Sequence, residues 1–560
     1  MNGVRWVVRR ELADFLLDAG ALDVWKLAEH PSVRLVKKGQ HRVVFRVSLP
    51  RDGHEPLELF VKIFLLPHLR DLLRYMVRQG RGMKEWKTAQ VLERIGIPTV
   101  RCVAVGSRRV AGVLREDCII TEAVPDVVPL DRFVSEELGR MTPAEQGRLI
   151  RGAAPVLAEF VRRLHDGGVH HHDFHGGNIL LRKDVEGIRR LLLIDLHVVT
   201  CGGPLPLGAR LRNLTQLNRF FSTAVSRTAR LRFWKQYLRG IPFLERTWRE
   251  YARLVEEHTV SSRRSLWKSR DRYCLRTNKA FRRFHLRGMR GHTVRGQIRI
   301  PEEVLKRIGG EGLVLPDAVL LKDSLSTRVW EQTVDFGTEH CTIVIKHERR
   351  EWGAKLLRTF LRRVGALREW RLAYAMRIRG LPVVEPLAAM ERRTMGLLRE
   401  SYLVTRKVEN VGNLEQFVQR TFTGELSQET RRLRRRMARS LGRLIRALHA
   451  CGFTQRDLKP ANILVCPADA VSSEVRFTLV DFKGTRQRTR VSEPDRARDL
   501  ARLAAGFVGT QGVRTTDMMR FLDEYLSGSG MSHARRRTFL AMIDQGIQEK
   551  RRRRNPEGLR

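Results

Sequence analysis

The chain is short of acidic residues and of long apolar runs. Among its 560 residues, 61 Asp and Glu stand against 106 Lys and Arg, which leaves a formal charge of +45. An excess of this size suits an anionic partner such as a phospholipid surface, a phosphorylated glycan or nucleic acid. No apolar run reaches the roughly 20 residues that span a bilayer, and Met1 to Gly20 alternates charged and apolar residues, unlike a secretory signal. We therefore expect a cytoplasmic protein.

Cysteine is also sparse, and no two cysteines have the C-x-x-C spacing of many metal and redox sites. The spacing speaks against a cysteine-based metal site. The seven residues are expected to be reduced, packed thiols in a reducing compartment: Cys102, Cys118, Cys201, Cys274, Cys341, Cys451 and Cys466.

The chain is longer than a single hydrophobic core, which stops growing near about 300 residues, and it contains a long-period repeat. The repeat is defined by five pairs of polar residues in the same order in both halves. Four pairs are 284 positions apart, and the fifth, after a two-residue insertion, is 286 apart: Lys62 and Lys346, Glu85 and Glu369, Asp173 and Asp457, Asn178 and Asn462, and Asp195 and Asp481. We infer a duplicated domain.

The apolar pattern around these residues is the same in both halves. A strand-like run carries each lysine, an amphipathic helical period precedes each first aspartate, and a short apolar run ends at each second one. The predicted elements are these: strands Leu57–Phe64 and Cys341–Lys346, helices Leu149–Leu164 and Met437–Leu448, and strands Leu191–Ile194 and Phe477–Val480. Each half is thus predicted to have a β-rich lobe followed by a mainly helical lobe.

The segment Arg287–Arg299 is rich in Gly and Arg and lacks a clean period, which favours a linker. We predict a first domain at residues 1–290, a basic linker at 291–302, a second domain at 303–548 and a basic tail at 549–560. The stretch Ser261–Arg295 has twelve Lys and Arg interleaved with aromatic residues. It is either a solvated face that includes the linker or a surface for an anionic membrane or phosphoglycan. Nucleic acid is the least favoured partner.

The repeated residues are those that phosphoryl transfer requires. A strand lysine that pairs with a helix glutamate holds nucleotide phosphates, and two pairs have that order and a common spacing of 23: Lys62 with Glu85, and Lys346 with Glu369. The D-x-x-x-x-N element supplies a carboxylate for the reacting hydroxyl and, five residues on, an amide for a metal. Asp173 and Asp457 are therefore predicted to be catalytic. The predicted Mg²⁺ ligands follow the same repeat: Asn178, Asp195, Asn462 and Asp481.

The motifs HHHDFHGGNILL and TQRDLKPANILV, with the lysines, glutamates and strand-end aspartates, resemble the protein-kinase-like superfamily. Within it the chain is most similar to the lipopolysaccharide kinases that phosphorylate Kdo or heptose. The resemblance implies an α+β fold class with two tandem bilobal protein-kinase-like domains, each a small β-rich N-lobe and a mainly helical C-lobe. It also implies ATP and Mg²⁺, a sugar hydroxyl of lipopolysaccharide core or a related anionic glycolipid as acceptor, and a peripheral location at the inner face of the cytoplasmic membrane.

The glycine-rich phosphate loop of the superfamily is reduced in both halves. Lys38-Gly39-Gln40 stands in its place in the first half and Lys322-Asp323-Ser324 in the second. Neither half has an APE-like element, and the part of each half after the second aspartate is short for a peptide-binding lobe. These features favour a small-molecule or glycan acceptor.

The two predicted catalytic loops differ two residues after the aspartate, where the first half has His175 and the second has Lys459. We expect both side chains to contact ATP. The D-x-H-x-x-N form resembles small-molecule kinases such as aminoglycoside phosphotransferases, whereas D-L-K-x-x-N resembles Ser/Thr protein kinases. Three alternatives therefore stay open: a protein kinase, one active half with a pseudokinase partner half, and a silent nucleotide-binding scaffold.

Two further patterns have structural explanations. The histidines of His170–His172 are consecutive, and consecutive side chains diverge too much for one metal ion. His172 is expected to take the structural place that Arg456 has in the second half. Trp86 and Trp370 directly follow the helix glutamates and are expected to pack each helix against its lobe.

Overall fold

The structure is a computed structural model, and it describes residues 3–29, 32–39, 41–51, 53–66, 75, 78–138, 141–184, 187–239, 248–295, 300, 302–308, 318–335, 340–349, 365–409, 411–466, 475–508 and 510–554. The chain divides into two compact units, Met1–Arg264 and Ser265–Arg560. Each unit has one lobe built on a large antiparallel sheet and a second, mainly helical lobe. The predicted α+β class with two bilobal domains is thus confirmed.

The first lobe of the first unit is a six-stranded sheet in the order β1-β5-β6-β4-β3-β2. Its strands are β1 (Arg5–Val8), β2 (Arg34–Lys38), β3 (Arg42–Arg51), β4 (His54–Phe64), β5 (Cys102–Val110) and β6 (Val113–Glu122). Alternate residues of β3 and β4, such as Val47 and Leu59, form a core with helices α1 (Ala13–Asp18) and α2 (Val24–Leu27). The same alternation turns Lys62 to the opposite face, where helix α3 (Arg81–Arg94) lies.

The helical lobe of the first unit is organised around the long helix α5. This helix begins after a capping box in which Thr142 and Glu145 satisfy each other's backbone N–H groups. Its apolar side, including Val161 and Leu164, lies in the main core of the unit. The elements of this lobe are α4 (Leu130–Arg132), α5 (Pro143–Asp166), α6 (Leu207–Ala224), α7 (Arg227–Leu238), α8 (Trp248–Arg270), β7 (Val127–Pro129), β8 (Val169–His171), β9 (Ile179–Asp184), β10 (Gly187–Leu193) and β11 (Val199–Cys201).

The first lobe of the second unit is a seven-stranded sheet in the order β12-β13-β17-β18-β16-β15-β14. Its strands are β12 (Phe281–Leu286), β13 (Met289–Val294), β14 (Val319–Ser324), β15 (Thr327–Asp335), β16 (His340–Arg349), β17 (Pro386–Thr394) and β18 (Leu397–Arg406). Helix α9 (Glu302–Ile308) shares a core with alternate residues of β16, such as Ile343. Helix α10 (Ala366–Ile378) lies on the other face, where Lys346 meets it.

The helical lobe of the second unit repeats the arrangement of the first. Helix α12 corresponds to α5, and Ser427 caps its first turn. Residues such as Ile445 and Leu448 put its apolar side into the core of the unit. The elements are α11 (Leu414–Thr421), α12 (Gln428–Ala450), α13 (Glu493–Ala505), α14 (Thr515–Leu526), α15 (His533–Arg554), β19 (Gly412–Asn413), β20 (Phe453–Gln455), β21 (Ile463–Cys466), β22 (Arg476–Leu479) and β23 (Thr485–Gln487).

The division between the units differs from the sequence-based domain boundary at residue 290. It falls after Arg264, inside α8, and β12 and β13 belong to the sheet of the second unit. Strand β13 pairs with β17, and it begins 284 positions after β1, which pairs with β5. Gly291 allows this pairing because a Cβ there would meet the ring of Phe284 and the carbonyl oxygen of Ala389.

Within the Gly- and Arg-rich segment, Met289–Val294 is therefore the second copy of the first strand of the repeat, and Gly291 reflects close packing. Of the predicted linker at 291–302, residues 296–299 and 301 lie outside the described residues, and Glu302 begins α9. The predicted basic tail at 549–560 starts within α15, which continues to Arg554.

Other predicted elements lie within longer observed ones. The predicted helices before the first aspartates fall inside α5 and α12, and the predicted lysine strands fall inside β4 and β16. Trp86 and Trp370 are buried, and Nε1 of Trp370 donates to the carbonyl oxygen of Cys274 at 3.1 Å. Over the described part of the chain, the helices are all too short or too polar to cross a membrane.

Candidate active site

Each unit pairs a strand lysine with a helix glutamate, as the common spacing predicts. In the first unit, Nζ of Lys62 on β4 donates to Oε1 of Glu85 on α3 at 2.6 Å. In the second unit, Nζ of Lys346 on β16 donates to Oε2 of Glu369 on α10 at 3.2 Å. Both glutamates are buried. A buried partner holds the ammonium in one place, because an unpaired charge in the interior would be costly.

The charge on these lysines is secured by their carboxylate partners. Burial by itself lowers the pKa of Lys62, but Glu85 and Asp195 together outweigh burial, and the pKa lies above its usual value. Burial is likewise overcome at Lys346, whose pKa is raised by Glu369, Asp481 and Glu348. Three carboxylates therefore surround one ammonium in the second unit. Burial and this crowding raise the pKa of Glu369 to about 7.

The strand-end aspartates share an unusual backbone conformation. Asp195 and Asp481 have φ angles of +64° and +59°, in the left-handed region that few residues other than glycine adopt. The turn aims both carboxylates back toward the lysine of the same unit. Burial raises the pKa of Asp195, but His197, Arg42 and Lys62 act more strongly together and hold the pKa below its usual value. The pKa of Asp481 is also lowered, because Lys346 overcomes the effect of burial.

The partners of the two strand-end aspartates differ between the units. Oδ1 of Asp195 lies 2.9 Å from Nη1 of Arg42 and 3.0 Å from Nδ1 of His197. Oδ1 of Asp481 instead lies 2.8 Å from Nζ of Lys346. Among the ion pairs of the described residues, Lys62 contacts Glu85 and not Asp195, whereas Lys346 contacts both the glutamate and the aspartate of its unit.

Sequence reasoning singled out neither Arg42 nor His197. His197 contacts the ring of Phe64 edge-on, with centroids 5.7 Å apart. The corresponding positions in the second unit are Glu348 and Lys483, whose Oε1 and Nζ are 2.9 Å apart. Both copies therefore keep a contact between these two positions, but with different side chains. A comparison of the residues beside each repeated motif could have identified the pair from the sequence.

Arg42 lies at the start of β3, directly after the reduced phosphate loop. That loop is a tight turn in which the N–H of Gly39 donates to the carbonyl oxygen of Arg42 at 2.8 Å. Gln40 lies outside the described residues. In the second unit Asp323 and Ser324 are at the end of β14, so the turn there falls at Leu325 and Ser326 and not at the predicted three residues.

The predicted catalytic aspartates lie on exposed loops held by the asparagine five residues later. Nδ2 of Asn178 donates to the carbonyl oxygen of Asp173 at 2.8 Å, and Nδ2 of Asn462 donates to that of Asp457 at 2.9 Å. The two aspartate side chains are 60% and 51% exposed, so an acceptor molecule can reach their carboxylates. The asparagines turn their nitrogens to the loop, which leaves the amide oxygens as potential metal ligands.

His175 and Lys459, predicted to contact ATP, lie against the catalytic aspartates. Nε2 of His175 is 3.5 Å from Oδ2 of Asp173, and Nζ of Lys459 is 3.1 Å from Oδ2 of Asp457. Nδ1 of His175 accepts the N–H of Gly177 at 3.0 Å, which leaves the proton on Nε2, facing the carboxylate. Both side chains are in a position to meet the aspartate and a phosphate together.

Within the histidine run, His171 makes the buried contact, whereas the structural role was expected of His172. His171 contacts the carbonyl oxygen of Ile194 through Nε2 at 3.2 Å, and burial lowers its pKa to about 4. The corresponding residue Gln455 donates to the carbonyl oxygen of Asp481 at 2.6 Å. In each unit, the residue two before the predicted catalytic aspartate therefore fixes the backbone at or beside the strand-end aspartate. His172 contacts Oγ1 of Thr200 at 3.2 Å.

A second repeated contact ties the long helix to the catalytic loop. Nδ1 of His449 on α12 lies 2.7 Å from the hydroxyl of Tyr525, and Oδ2 of Asp499 accepts the N–H of Gln455 at 2.7 Å. In the first unit His165 and Tyr237 make the same 2.7 Å contact. Asn213 replaces the aspartate there.

The residues present fit an ATP–Mg²⁺ complex. A buried lysine in each unit offers positive charge for phosphate groups, and the strand-end carboxylate and asparagine amide are the hard oxygen ligands that Mg²⁺ prefers. The backbones of the two ligand residues are adjacent, since the N–H of Ile194 donates to the carbonyl oxygen of Asn178 at 3.0 Å. Within the described ranges, one group of acidic and histidine side chains is close enough to share a metal ion: Glu85, Asp195 and His197.

Comparison with known proteins adds an independent finding. The model of the lipopolysaccharide kinase (Kdo/WaaP) family matches residues 29–237 and 323–525. The chain is 33% identical over 163 residues to the 3-deoxy-D-manno-octulosonic acid kinase of Actinobacillus succinogenes, which is 28% of this chain and 61% of that protein. It is 30% identical over 162 residues to the lipopolysaccharide core heptose(I) kinase WaaP of Pseudomonas aeruginosa, which is 28% of this chain and 59% of that protein. The chain thus spans about three fifths of the length of these relatives.

A solved structure of WaaP in complex with acyl carrier protein is similar to 46% of this chain and 98% of its own, with 24% identity and a TM-score of 0.34. The two segments that the family model matches make up more than half of the chain. Each segment contains one full set of the five repeated residues, so the resemblance inferred from the motifs is confirmed. The chain belongs to the lipopolysaccharide kinase (Kdo/WaaP) family, and it contains the family's region twice.

Proposed function

We propose that the protein transfers the γ-phosphoryl group of ATP to a sugar hydroxyl of lipopolysaccharide core or a related glycolipid. One observation carries the proposal: in both units a buried Lys–Glu pair faces a strand-end aspartate, with an exposed loop aspartate nearby in the chain. Two relatives are named as kinases of 3-deoxy-D-manno-octulosonic acid and of a core heptose, which supports a sugar acceptor.

ATP is held by the buried lysines. Lys62 and Lys346 offer a fixed ammonium to the phosphates, and Glu85 and Glu369 prevent each lysine from swinging away. Mg²⁺, when bound, neutralises charge on the phosphate oxygens during transfer. The ligands that would hold it are the strand-end aspartates and loop asparagines: Asp195 with Asn178, and Asp481 with Asn462.

The exposed aspartates act on the acceptor. The carboxylate of Asp173 or Asp457 accepts a hydrogen bond from the sugar hydroxyl and takes its proton as the oxygen attacks the γ-phosphorus. The bond from the γ-phosphorus to the β,γ-bridging oxygen breaks, and ADP leaves with that oxygen. His175 and Lys459 orient these carboxylates, and the ammonium of Lys459 also offers positive charge to the transferred group. Both loop aspartates are exposed at the surface, and this suits a bulky glycolipid headgroup better than a small metabolite that binds in an enclosed pocket.

An anionic membrane is the proposed partner surface, and the inner face of the cytoplasmic membrane the proposed location. The net charge of +45 supports attraction to such a surface. Nucleic acid remains the less favoured partner.

The test replaces each loop aspartate by asparagine, separately and together. Asp173→Asn and Asp457→Asn keep the shape of the side chain but remove the base, so we expect each to lower the transfer rate of its own unit by at least about 100-fold. The assay follows labelled phosphate from ATP into lipopolysaccharide and into protein in the same reaction. The exposed helix residue Asp544 gives a matched control, and Asp544→Asn should keep the parent rate.

The outcomes separate the alternatives. If the double variant still labels lipopolysaccharide at the parent rate, the assignment of the aspartates is wrong. Label in protein bands alone would replace the glycolipid acceptor by a protein. If only one single variant loses transfer, the other unit is a pseudokinase under these conditions.

A further inference from the structure

Helix α12 of the second unit carries a row of arginines on its solvent-exposed side. Five fall in the first half of the helix, and all are exposed: Arg431, Arg432, Arg435, Arg436 and Arg439. Residues three and four apart lie on the same side of a helix, so the five form one surface, here named the arginine strip. It is about 12 Å long at 1.5 Å per residue. The opposite side of the helix is buried in the core.

The arginine strip is unfavourable for the helix by itself. Across the part of the chain that the structure describes, none of the five side chains has a hydrogen-bond or ion-pair partner. Like charges one turn apart destabilise a helix, and the strip contains three such pairs at i,i+4. Cations near the N-terminal end also oppose the helix dipole. Both effects are relieved when anions bind, which indicates that the strip meets an anionic partner.

The first unit shows that the fold does not require this strip. Helix α5 has the same place in the duplicated architecture, and it leads to the catalytic loop of the first unit in the same way. The residues 284 positions before the five arginines are Gly147, Arg148, Arg151, Gly152 and Pro155. Only two of the five charges are therefore present in the first copy, so the strip is a property of the second unit.

We propose that the arginine strip docks the second unit on an anionic phospholipid surface, with lipid phosphates as its ligands. The proposal deepens the proposed function and rests on it, because a lipopolysaccharide acceptor is itself a membrane lipid. Guanidinium groups bind phosphate in a bidentate manner. A straight row of five along one helix can meet a flat layer of headgroups all at once.

The surroundings of the strip favour lipid over nucleic acid. Helix α12 has no aromatic residue between Gln428 and Ala450, so bases would have nothing to stack on. The earlier candidate surface at 261–295 is different, since its residues are divided among the end of α8, a short turn and the β12–β13 hairpin. The arginines at 261–295 therefore lie on several elements, whereas those of the arginine strip all lie on one side of a single helix.

The strip is separate from the catalytic loop. Arg439 lies eleven residues before the end of α12 at Ala450, which is about 17 Å along the helix. Removing these charges should therefore leave ATP turnover of the second unit unchanged. Membrane binding and catalysis can then be measured independently on the full chain.

The test uses vesicles of phosphatidylcholine with and without about 30% phosphatidylglycerol, in co-sedimentation at about 0.1 M salt without ATP or acceptor. The strip variant is Arg432→Gln with Arg435→Gln. The matched control is Arg148→Gln with Arg151→Gln, the same two positions in the first unit. Each arginine at an anionic surface contributes roughly fivefold in affinity, so we expect about a 25-fold loss for the strip variant. The control should lose less than about twofold.

Several results would overturn the proposal. Equal losses for the two double variants would mean that only net charge matters, and an unchanged affinity of the strip variant would mean that the strip does not touch lipid. If vesicle binding stays while binding to polyglutamate is lost, the partner is an acidic protein. A thermal unfolding profile equal to that of the parent verifies that both double variants are folded. If the strip variant loses vesicle binding but the parent protein transfers no phosphate to lipopolysaccharide, the docking surface is supported and the proposed function is rejected.

Discussion

Arg42→Ser tests whether an ion pair sets the metal affinity of the first unit. Nη1 of Arg42 lies 2.9 Å from Oδ1 of Asp195, and these side chains are 29% and 16% exposed. A divalent ion on this carboxylate has to displace or weaken the contact. Hydrogen bonds between charged groups contribute about 1.5–3 kcal/mol, or about ten- to hundredfold in affinity. We therefore expect the variant to bind a divalent ion at least about tenfold more tightly. Serine is the natural choice, since Ser326 has the equivalent position in the second unit.

The assay is a titration with Mn²⁺ as a probe for Mg²⁺, followed by the electron paramagnetic resonance of the free ion and without nucleotide. Every protein in the titration also carries Asp481→Asn, which removes the predicted metal ligand of the second unit. Arg46→Ser is the control, because Arg46 lies on the same strand and pairs with Glu58 at 2.7 Å instead. It removes the same charge without freeing Asp195. If both variants tighten Mn²⁺ binding equally, net charge explains the effect. If neither does, the ion pair does not compete with the metal.

Two further predictions concern the folding of each unit. Burial raises the pKa of Asp117 to about 6, although its carboxylate accepts the N–H of Gly82 at 3.1 Å. Since this folded pKa exceeds the unfolded value of about 3.9, the contribution to stability is full below about pH 4 and is lost as the pH rises through 6. Asp117→Asn should remove that loss of about 3 kcal/mol in stability. Hydrogen exchange in α3 measures it, and its pH dependence should be flatter in the variant. A pH dependence equal to that of the parent would contradict the prediction. Gly168 and Gly452, 284 positions apart, have φ angles of +71° and +85°, and a Cβ would collide with the carbonyl oxygens of Gly202 and Arg488. Gly168→Ala or Gly452→Ala should each destabilise its own unit by more than about 2 kcal/mol in thermal unfolding. The control Gly20→Ala should cost about 1 kcal/mol, because the space around Gly20 is open. Equal effects of all three substitutions would refute the steric explanation.

The sequence indicated which polar side chains lie close together better than it indicated where the two compact units divide. Local features indicated these residues: Lys62 alternates with the apolar residues of β4, and Glu85 follows after 23 positions, the same spacing as between Lys346 and Glu369. The boundary depends on which sheet a strand joins. Arg290 and Gly291 look like linker residues in isolation, and their pairing with β12 on one side and β17 on the other makes them strand residues.

The charge partners inside the site could not be read from the motifs. Arg42 is one of 106 basic residues, and it reaches Asp195 across 153 positions of the chain. No short-range period connects the two. The left-handed backbone at Asp195 and Asp481 is equally invisible in the sequence, because aspartate tolerates several conformations and neither residue is followed by glycine. Tertiary structure decides these features.

The charged contacts differ between the two units, and they predict a different coupling of metal and nucleotide in each. In the first unit, a divalent ion bound at Asp195 would compete with Arg42 and would leave the Lys62–Glu85 pair intact. In the second unit, such an ion would compete with Lys346 itself, because this lysine lies 2.8 Å from Asp481 and 3.2 Å from Glu369. Metal binding there would free the lysine for the nucleotide, so we expect the metal and ATP to bind more cooperatively than in the first unit. Duplication has therefore kept the same five residues in both copies, whereas the charged residues around them differ.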